Sequence, residues 1–258
     1  MHKPKLLVFD VDGTLLHSDK TVSVYTLDTL TRCKQAGFLT AIATARSEVA
    51  ASRLIGQIQP DAVISNGGAM VRYGNVIVGL RLIPAEVTDE IIRDLISHPG
   101  YQMLTLETPK GYFTSYQPAA TRDRDYAHAK YHDFSIPIGL PAYKITVCFR
   151  NGVVPDFVLS VHPECTMTAF AGESWYRFTD RDATKMNGVR LLATHLGLSV
   201  SEVAAFGDDY IDADMLQQCG VGVAVANAPA EIRSCADCVC FSNNDDGVAK
   251  WIEENLLI

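Results

Sequence analysis

The chain has 258 residues, with 22 basic and 30 acidic side chains and a formal net charge of −8. Its apolar fraction of 48% with 20% charged residues is typical of a folded protein and excludes a disordered chain. The acidic balance argues against a nucleic-acid partner, because phosphate contacts need clustered Lys and Arg. No apolar run is long enough to span a membrane, and the apolar run before Asp10 is too short for a signal peptide. We therefore expect a cytoplasmic protein without a membrane partner.

The cysteines and histidines do not form a recognisable metal motif. Seven cysteines, an odd number spread along the chain, do not suggest a secreted disulfide framework. Cys235, Cys238 and Cys240 form one cluster, and no second pair lies at a spacing suited to zinc. We interpret Cys238 and Cys240 as one face of a short strand. His128 and His132 lie four residues apart on a predicted helix, where the surrounding charges favour a solvated face over a metal site.

The first third of the chain alternates strands and helices. Short apolar runs that end in polar or glycine-containing turns predict strands buried on both faces of a parallel sheet. The predicted strands are 6–9, 38–43 and 62–65, and the predicted helices are 23–36 and 47–57. A hairpin is predicted within 71–82, around Gly74-Asn75. This order of elements is the signature of a doubly wound α/β fold.

The pattern changes after Pro84 and returns at Lys185. In between we predict helices at 85–97, 119–131 and 155–160, and strands at 102–107, 144–149, 166–169 and 175–178. Afterwards we predict helices at 185–195 and 247–256, and strands at 203–206 and 222–225. The sequence thus predicts a mainly parallel, Rossmann-like α/β core formed by residues 1–82 and 184–258. Residues 83–183 would form an inserted α+β domain.

Polar side chains follow three of the predicted core strands. Asp10 and Asp12 follow the first strand, Thr44 follows the second, and Asp208 and Asp212 follow the strand at 203–206. A single Asp after a strand is commonly a cap or turn residue. Ligands of open α/β sheets bind at the carboxyl ends of the strands, so several such residues together indicate one site. Clustered carboxylates repel one another without a cation, and oxygen-only ligands favour Mg²⁺ over zinc.

These residues resemble the four motifs of the haloacid dehalogenase-like (HAD) superfamily of phosphatases, in the family's order. The resemblance lies in Asp10-Val11-Asp12-Gly13-Thr14, Thr44 within Ala43-Thr44-Ala45-Arg46, Lys185, and Gly207-Asp208-Asp209-Tyr210-Ile211-Asp212. Three further segments resemble the Cof-type branch (type IIB): Ser65-Asn66-Gly67-Gly68, Ala226-Asn227-Ala228 and Asp246-Gly247-Val248-Ala249. Members of that branch carry a large α/β cap between the second and third motifs. The inserted domain predicted above matches such a cap in position and size.

The resemblance implies a Mg²⁺-dependent phosphatase that hydrolyses phosphate monoesters of small metabolites, either sugar phosphates or phosphorylated cofactors. It implies that Asp10 is the nucleophile, which forms an aspartyl-phosphate, and that Asp12 is the general acid/base. The implied phosphate-binding residues are Val11, Thr44, Ala45 and Lys185. The implied metal ligands are Asp10, Asp12 through its carbonyl, and Asp208, with Asp212 orienting or supplementing them.

Two positions depart from the family pattern. Ala45 stands where Cof-type relatives usually have glycine, and Ile211 stands where relatives commonly have an asparagine that touches phosphate.

Two other functions fit the motifs. A phosphotransferase or phosphomutase would share them, and release of free phosphate distinguishes a phosphatase from these enzymes. A non-catalytic protein that binds phosphorylated metabolites is a third interpretation. The presence of both Asp10 and Asp12 argues against it, because binding alone needs no acid/base.

Overall fold

The computed structural model describes residues 3–116, 128–150, 152–170 and 174–257. The chain divides into two compact units, of which the first combines residues 1–80 with 184–258 and the second is 81–183. Within the described ranges, no helix has the length and apolar character needed to cross a membrane.

The secondary structure alternates strands with mostly short helices. The strands are β1 (Leu6–Phe9), β2 (Leu39–Ala43), β3 (Ala62–Ser65), β4 (Met70–Tyr73), β5 (Val76–Leu80), β6 (Tyr101–Thr108), β7 (Gly111–Thr114), β8 (Lys130–Tyr131), β9 (Lys144–Phe149), β10 (Cys165–Ala169), β11 (Trp175–Asp180), β12 (Val203–Gly207), β13 (Val221–Val225) and β14 (Cys238–Cys240). The helices are α1 (Val24–Gln35), α2 (Ser52–Ile58), α3 (Ala85–Ser97), α4 (Phe157–Val161), α5 (Lys185–His195), α6 (Ala213–Gln218), α7 (Ala230–Cys235) and α8 (Gly247–Asn255).

The first unit is built on an eight-stranded sheet of order β14-β13-β12-β1-β2-β3-β4-β5. The strands from β14 to β3 run parallel, and β4 and β5 add an antiparallel hairpin. Strand β1 is fully buried because Leu7 and Phe9 pack into the core on one face, and Leu6 and Val8 into the core on the other. Such a strand reads as a continuous apolar run. The mainly parallel, doubly wound α/β class is therefore confirmed.

The second unit is an α+β structure with a six-stranded sheet of order β10-β11-β9-β6-β7-β8. Its pairings are antiparallel, except that β7 and β8 run parallel. Helix α3 packs its apolar side on one face of this sheet, where Ile91 and Leu95 join Leu104, Leu106 and Val147 in one buried core.

The structure departs from the predicted elements at several places. Helix α2 begins at Ser52 instead of Ser47, because the Ser47 hydroxyl accepts the Ala50 N–H (3.2 Å) and the chain turns there first. Residues 119–127 of the helix predicted at 119–131 lie outside the described residues. The prediction is wrong at the end of that helix, because Lys130–Tyr131 forms strand β8 and pairs with β7. His132 therefore follows a strand, and the prediction that it shares a solvated helix face with His128 is wrong.

Candidate active site

Strand order brings the carboxyl ends of β12, β1 and β2 together at one edge of the first unit's sheet. Strand β1 lies between β12 and β2, parallel to both. The Asp10 N–H donates to the Phe206 carbonyl (2.9 Å), which extends the pairing to the first residue after β1. The chain moves from β1 to one side to form β2 and later returns on the other side to form β12. This is the topological switch point at which open α/β sheets bind ligands.

Three carboxylates meet at this edge. Asp10, Asp208 and Asp212 each offer an oxygen within 4.8 Å of the others. Asp10 and Asp212 are 5% and 0% exposed. The Thr14 hydroxyl donates to Asp208 Oδ1 (2.9 Å) and so helps to fix that carboxylate. An all-oxygen set at this spacing fits the ligand preference of Mg²⁺.

Lys185 supplies the cation inside this cluster. It is the first residue of α5, which begins after Thr184, whose hydroxyl oxygen accepts the Asn187 N–H (3.1 Å). The Lys185 side chain is buried, and its ammonium donates to the Asp10 carboxylate and to Asp212 Oδ1, the latter at 2.6 Å. Burial would lower the pKa of Lys185, but the charges of Asp10 and Asp212 raise it well above its usual range. Lys185 is therefore charged at neutral pH.

The carboxylates of the cluster are not fully compensated. Burial raises the pKa of Asp10 to about 6 and that of Asp212 to about 6, although Lys185 acts in the opposite direction in both cases. Burial also raises the pKa of Asp208. Three ionised carboxylates facing one ammonium leave an excess of two negative charges. One divalent cation would carry the matching charge, so the residues present fit Mg²⁺.

Asp12 lies in a different electrostatic environment from Asp10. Arg46 donates to both of its oxygens, from Nε to Oδ2 (2.7 Å) and from Nη2 to Oδ1 (2.6 Å). Lys20 Nζ also donates to Oδ1 (2.9 Å). Burial would raise the pKa of Asp12, but the hydrogen bonds and charges of Arg46 and Lys20 outweigh it and hold the pKa below the ordinary value. The two aspartates of the first motif thus have pKa values shifted in opposite directions.

The predicted phosphate-binding residues border the same edge. Thr44 is buried, and its hydroxyl oxygen accepts the Arg46 N–H (3.1 Å). No acceptor for the Thr44 hydroxyl proton is found in the described part of the chain, so that proton is available to a ligand. The Val11 N–H donates to the Asp10 carboxylate. Ala45 follows Thr44 directly and is partly exposed.

Two glycines allow the close approach of the site's segments. Gly13 has a φ of +85°, and a Cβ there would lie 2.3 Å from Asp208 Oδ2. Gly68 has a φ of +111°, and a Cβ there would lie 2.0 Å from the carbonyl oxygen of Thr184. At both positions φ is positive and an added Cβ would overlap a neighbouring oxygen, so glycine is required. Gly68 thereby lets the loop after β3 pack against Thr184, the N-cap residue of α5 that precedes Lys185.

Four residues at this site were not among those predicted from the sequence. Arg46 and Lys20 bind Asp12. The Asn227 side-chain amide donates to the Gly13 carbonyl (2.8 Å), and Asn243 donates to the Leu16 carbonyl (2.7 Å). Arg46 and Asn227 stand inside segments that carry the family resemblance, so those segments were a usable signal for them. Lys20 and Asn243 had no such signal.

The Ile211 side chain occupies the fourth-motif loop without a polar role. It is 38% exposed. Its two neighbours are engaged locally: Asp209 Oδ1 accepts the Tyr210 N–H (2.6 Å), and the Tyr210 hydroxyl lies 3.5 Å from Glu231.

The aspartate cluster is the one group of three potential metal ligands among the residues that the structure describes. Cys238 and Cys240 lie in β14, as predicted, with Cys240 buried. Cys235 ends α7, and its thiol donates to the Ile232 carbonyl (3.1 Å). A zinc site from this cysteine cluster is not formed in the described chain.

Comparisons with known proteins agree with this geometry. A family model described as haloacid dehalogenase-like hydrolase matches residues 7–252. The 5-amino-6-(5-phospho-D-ribitylamino)uracil phosphatase YitU of Bacillus subtilis is 25% identical over 263 residues, covering 98% of this chain and 97% of that protein. A haloacid dehalogenase-like hydrolase from Bacteroides thetaiotaomicron has a TM-score of 0.85 at 21% identity, covering 98% of this chain and 99% of that one. The HAD subclass IIB sugar phosphatase BT4131 has a TM-score of 0.82 at 22% identity, covering 98% and 100%. The chain therefore belongs to the haloacid dehalogenase-like hydrolase family and is an enzyme of that family.

Proposed function

We propose that this enzyme is a Mg²⁺-dependent phosphatase that hydrolyses phosphate monoesters of small metabolites through an aspartyl-phosphate on Asp10. The observation that carries the proposal is the buried Asp10 carboxylate, which is paired with Lys185 and shares its site with Asp208 and Asp212. A buried cluster with excess negative charge destabilises a fold. Strongly shifted pKa values in such a cluster, at the ligand-binding edge of an α/β sheet, favour a catalytic role.

In the first step an oxygen of Asp10 attacks the phosphorus of the ester. A P–O bond forms to Asp10 as the bond from phosphorus to the leaving oxygen breaks, and Asp12 gives its proton to that oxygen. The products of this step are the free alcohol, the aspartyl-phosphate and the Asp12 carboxylate. The assignment of these roles rests on the family motif, because the pKa of Asp10 is raised and that of Asp12 is lowered in the metal-free protein, the reverse of what a nucleophile and a general acid need.

In the second step water attacks the phosphorus of the aspartyl-phosphate. Asp12 takes a proton from that water, the bond from phosphorus to the Asp10 oxygen breaks, and inorganic phosphate leaves. Asp10 is restored as a carboxylate, and Asp12 is again protonated for the next ester. One residue therefore acts as acid in the first step and as base in the second.

The approach of an anionic phosphate to an anionic nucleophile needs compensating charge. A pair of unit charges 4 Å apart repels by about 4 kcal/mol at an effective dielectric of 20. Lys185 offsets part of this repulsion from within the cluster. When bound, Mg²⁺ would offset more and stabilise the transferring phosphoryl group. Its ligands would be Asp10, Asp208 and the Asp12 carbonyl, with Asp212 orienting the loop.

Neutral donors complete the proposed phosphate site. The Thr44 hydroxyl and the Ala45 N–H would donate to the phosphate oxygens without adding charge. The Val11 N–H, which donates to the Asp10 carboxylate in this structure, would also be shared with the phosphate. The alanine at position 45 serves this purpose as well as the family's usual glycine, because the donor is the backbone.

We further propose that residues 83–183 form a cap that sets the choice of substrate in a cytoplasmic enzyme. YitU is named for a phosphorylated ribitylaminouracil, and BT4131 for a sugar phosphate. Both are phosphate monoesters of small molecules, and we extend that class to this chain.

The proposal is tested by measuring phosphate release from a panel of sugar phosphates and phosphorylated cofactors, with Mg²⁺ and with EDTA. We expect turnover of some members, its loss in EDTA and its return with Mg²⁺. Asp10→Asn should abolish turnover, because the amide is nearly isosteric but cannot attack phosphorus. Asp214→Asn, an exposed aspartate just beyond the fourth motif, is the matched control and should be fully active. Turnover by Asp10→Asn, or transfer of phosphate to a second metabolite without its release, would contradict the proposal.

A further inference from the structure

The peptide between Gly13 and Thr14 connects the turn after β1 to Asp208. The Thr14 hydroxyl donates to Asp208 Oδ1 (2.9 Å), so the position of this peptide sets where that hydroxyl lies. The backbone holds the peptide weakly, because the Thr14 N–H reaches the Val11 carbonyl only at 3.4 Å. Gly13 has a φ of +85° and, without a Cβ, can adopt many other backbone conformations. The turn therefore needs an outside contact to keep Thr14 in place.

Asn227 supplies such a contact from the loop after β13. Its side-chain Nδ2 donates at 2.8 Å to the Gly13 carbonyl, which is the oxygen of the same peptide. Its Oδ1 accepts the backbone N–H of Asn243 at 2.9 Å, in the turn after β14. This second bond fixes which end of the amide carries the donors, so the NH2 group faces Gly13. Asn227 thus links three loops at the carboxyl end of the parallel sheet.

The Asn243 end of this link is itself held in place. Asn243 is 5% exposed, and its side-chain Nδ2 donates to the Leu16 carbonyl (2.7 Å), three residues after Gly13. Asn227 and Asn243 therefore hold the turn at two points. Both contacts come from neutral amides, so they fix the turn without adding charge beside the carboxylates.

Resting on the proposed function, in which Asp208 binds Mg²⁺, we infer that Asn227 is a positioning residue for the metal site. By fixing the Gly13–Thr14 peptide, Asn227 keeps the Thr14 hydroxyl on Asp208 and so limits the rotation of that carboxylate. Groups that orient a metal ligand from outside contribute strongly to the affinity for the metal. Asn227 acts through Thr14 and does not itself bind the metal.

The test measures the dissociation constant for Mg²⁺ by isothermal titration calorimetry, without any substrate. We expect Asn227→Ala to raise this constant about fivefold. The effect should be smaller than that of Thr14→Val, because Asn227 lies one contact further from Asp208. Since the Asn227 side chain is exposed, the variant should fold, and its Tm in EDTA is measured to verify this.

A double-variant cycle tests the route through Thr14. In a Thr14→Val background the hydroxyl that Asn227 positions is already absent. Asn227→Ala should therefore raise the dissociation constant less than about twofold in that background. An increase of about fivefold in both backgrounds would overturn the inferred route, because independent effects on affinity multiply.

Asn255→Ala is the matched control. Asn255 is also exposed, and its Nδ2 donates to the Trp251 carbonyl at the same distance, 2.8 Å, at the end of α8. This variant removes a hydrogen bond of the same kind and should leave the affinity for Mg²⁺ unchanged. An effect equal to that of Asn227→Ala would overturn the specific role of Asn227.

The failure of this inference and the failure of the proposed function give different results. An unchanged dissociation constant in Asn227→Ala, with or without a lower Tm in EDTA, would overturn the role of Asn227 and leave the proposed function standing. A wild-type protein that binds no Mg²⁺ would contradict the proposed function, and the role of Asn227 with it.

Discussion

Asp212 and Lys185 form a buried ion pair that engages one carboxylate oxygen of Asp212 and leaves the other oxygen to bind the backbone. Its Oδ1 accepts the Lys185 ammonium at 2.6 Å, and its Oδ2 accepts the backbone N–H groups of Asp208 and Asp209, each at 3.1 Å. The Asp212 side chain thereby fixes the Lys185 ammonium, which is the cation of the cluster among the described residues, and also the loop that carries Asp208. Asp212 therefore holds the loop on which Asp208, a proposed metal ligand, is carried.

The raised pKa of Asp10 predicts that this carboxylate destabilises the metal-free fold at neutral pH. Because the folded-state pKa of about 6 lies above the ordinary value of 3.8, the folded state binds more protons between these values. The stability contributed by protonated Asp10 is therefore present below about pH 4 and lost as the pH rises through about 6. We expect Asp10→Asn to have the higher Tm in EDTA at about pH 7.5, and the difference to shrink towards about pH 4.

The comparison with Asp10→Asn is needed because other groups titrate with the opposite sign. Asp12 and Asp246 have pKa values held below the ordinary value, so both favour the fold at higher pH. The difference between the two Tm curves reports Asp10 together with its coupling to Asp212 and Lys185. A wild-type Tm equal to or above that of Asp10→Asn at neutral pH would show that Lys185 fully compensates the carboxylates.

Removal of the Thr14 hydroxyl should weaken Mg²⁺ binding. The hydroxyl donates to Asp208 Oδ1 at 2.9 Å, and groups that orient a metal ligand typically contribute about 10–100-fold to affinity. We expect Thr14→Val, which keeps the shape of the side chain, to raise the Mg²⁺ concentration needed for half-maximal thermal stabilisation at least about tenfold.

Thr88→Val is the control for this substitution. Thr88 is also buried, and its hydroxyl donates to the Ile83 carbonyl (3.3 Å) in the second unit. The Mg²⁺ dependence of this variant should match that of the wild type. An unchanged Mg²⁺ midpoint in Thr14→Val would mean that Asp208 does not hold the metal.

Gly68→Ala should disrupt the packing that positions Lys185. The new Cβ would lie 2.0 Å from the Thr184 carbonyl oxygen, so the loop or the start of α5 must move. We expect a loss of more than about 3 kcal/mol in the free energy of unfolding, from overpacking together with backbone strain.

Gly111→Ala separates the two causes of this loss. Gly111 has a similar φ of +125°, but a Cβ added there would have nothing within 4 Å. It should therefore show the strain alone, about 1–2 kcal/mol in urea unfolding. Equal losses in the two variants would contradict the packing argument at Gly68.

The positions of the main site residues could be predicted because they follow buried parallel strands. Such strands are short apolar runs with an abrupt polar end, as Leu6–Phe9 before Asp10 shows. Helices α3 and α5, at Ala85–Ser97 and Lys185–His195, were predicted with their observed bounds and are confirmed. Both show helical periodicity over several turns.

The elements and contacts that escaped prediction lack such local signals. Helices α6 and α7 have six residues each, too few to show a helical period. Strand β8 has two residues and exists only through its pairing with β7. The contact of Lys20 with Asp12 depends on a positive backbone φ of +66° at Lys20, within a tight turn. No sequence preference indicates this conformation for a lysine.

Ile211→Asn tests the clearest departure from the family pattern. A restored hydrogen bond to a charged phosphate would contribute about 1.5–3 kcal/mol, which sets an upper limit of roughly a hundredfold in kcat/KM. We expect about a fivefold gain, with little change in Tm because Ile211 is 38% exposed. A neutral or harmful effect, together with losses in Asp209→Ala or Tyr210→Phe, would assign the polar contact to those neighbours instead. No effect of any of the three would remove this loop from the phosphate site.

The most direct test of the central claim is to trap the covalent intermediate. The wild-type enzyme is mixed with a phosphate monoester radiolabelled in its phosphate and quenched in acid within a single turnover, and the labelled peptide is mapped. The proposed mechanism predicts acid-stable, hydroxylamine-sensitive label on Asp10, formed and lost at rates that account for turnover, with none in Asp10→Asn. Phosphate release that proceeds without label on the protein at any time, or with label on a residue other than Asp10, would contradict it.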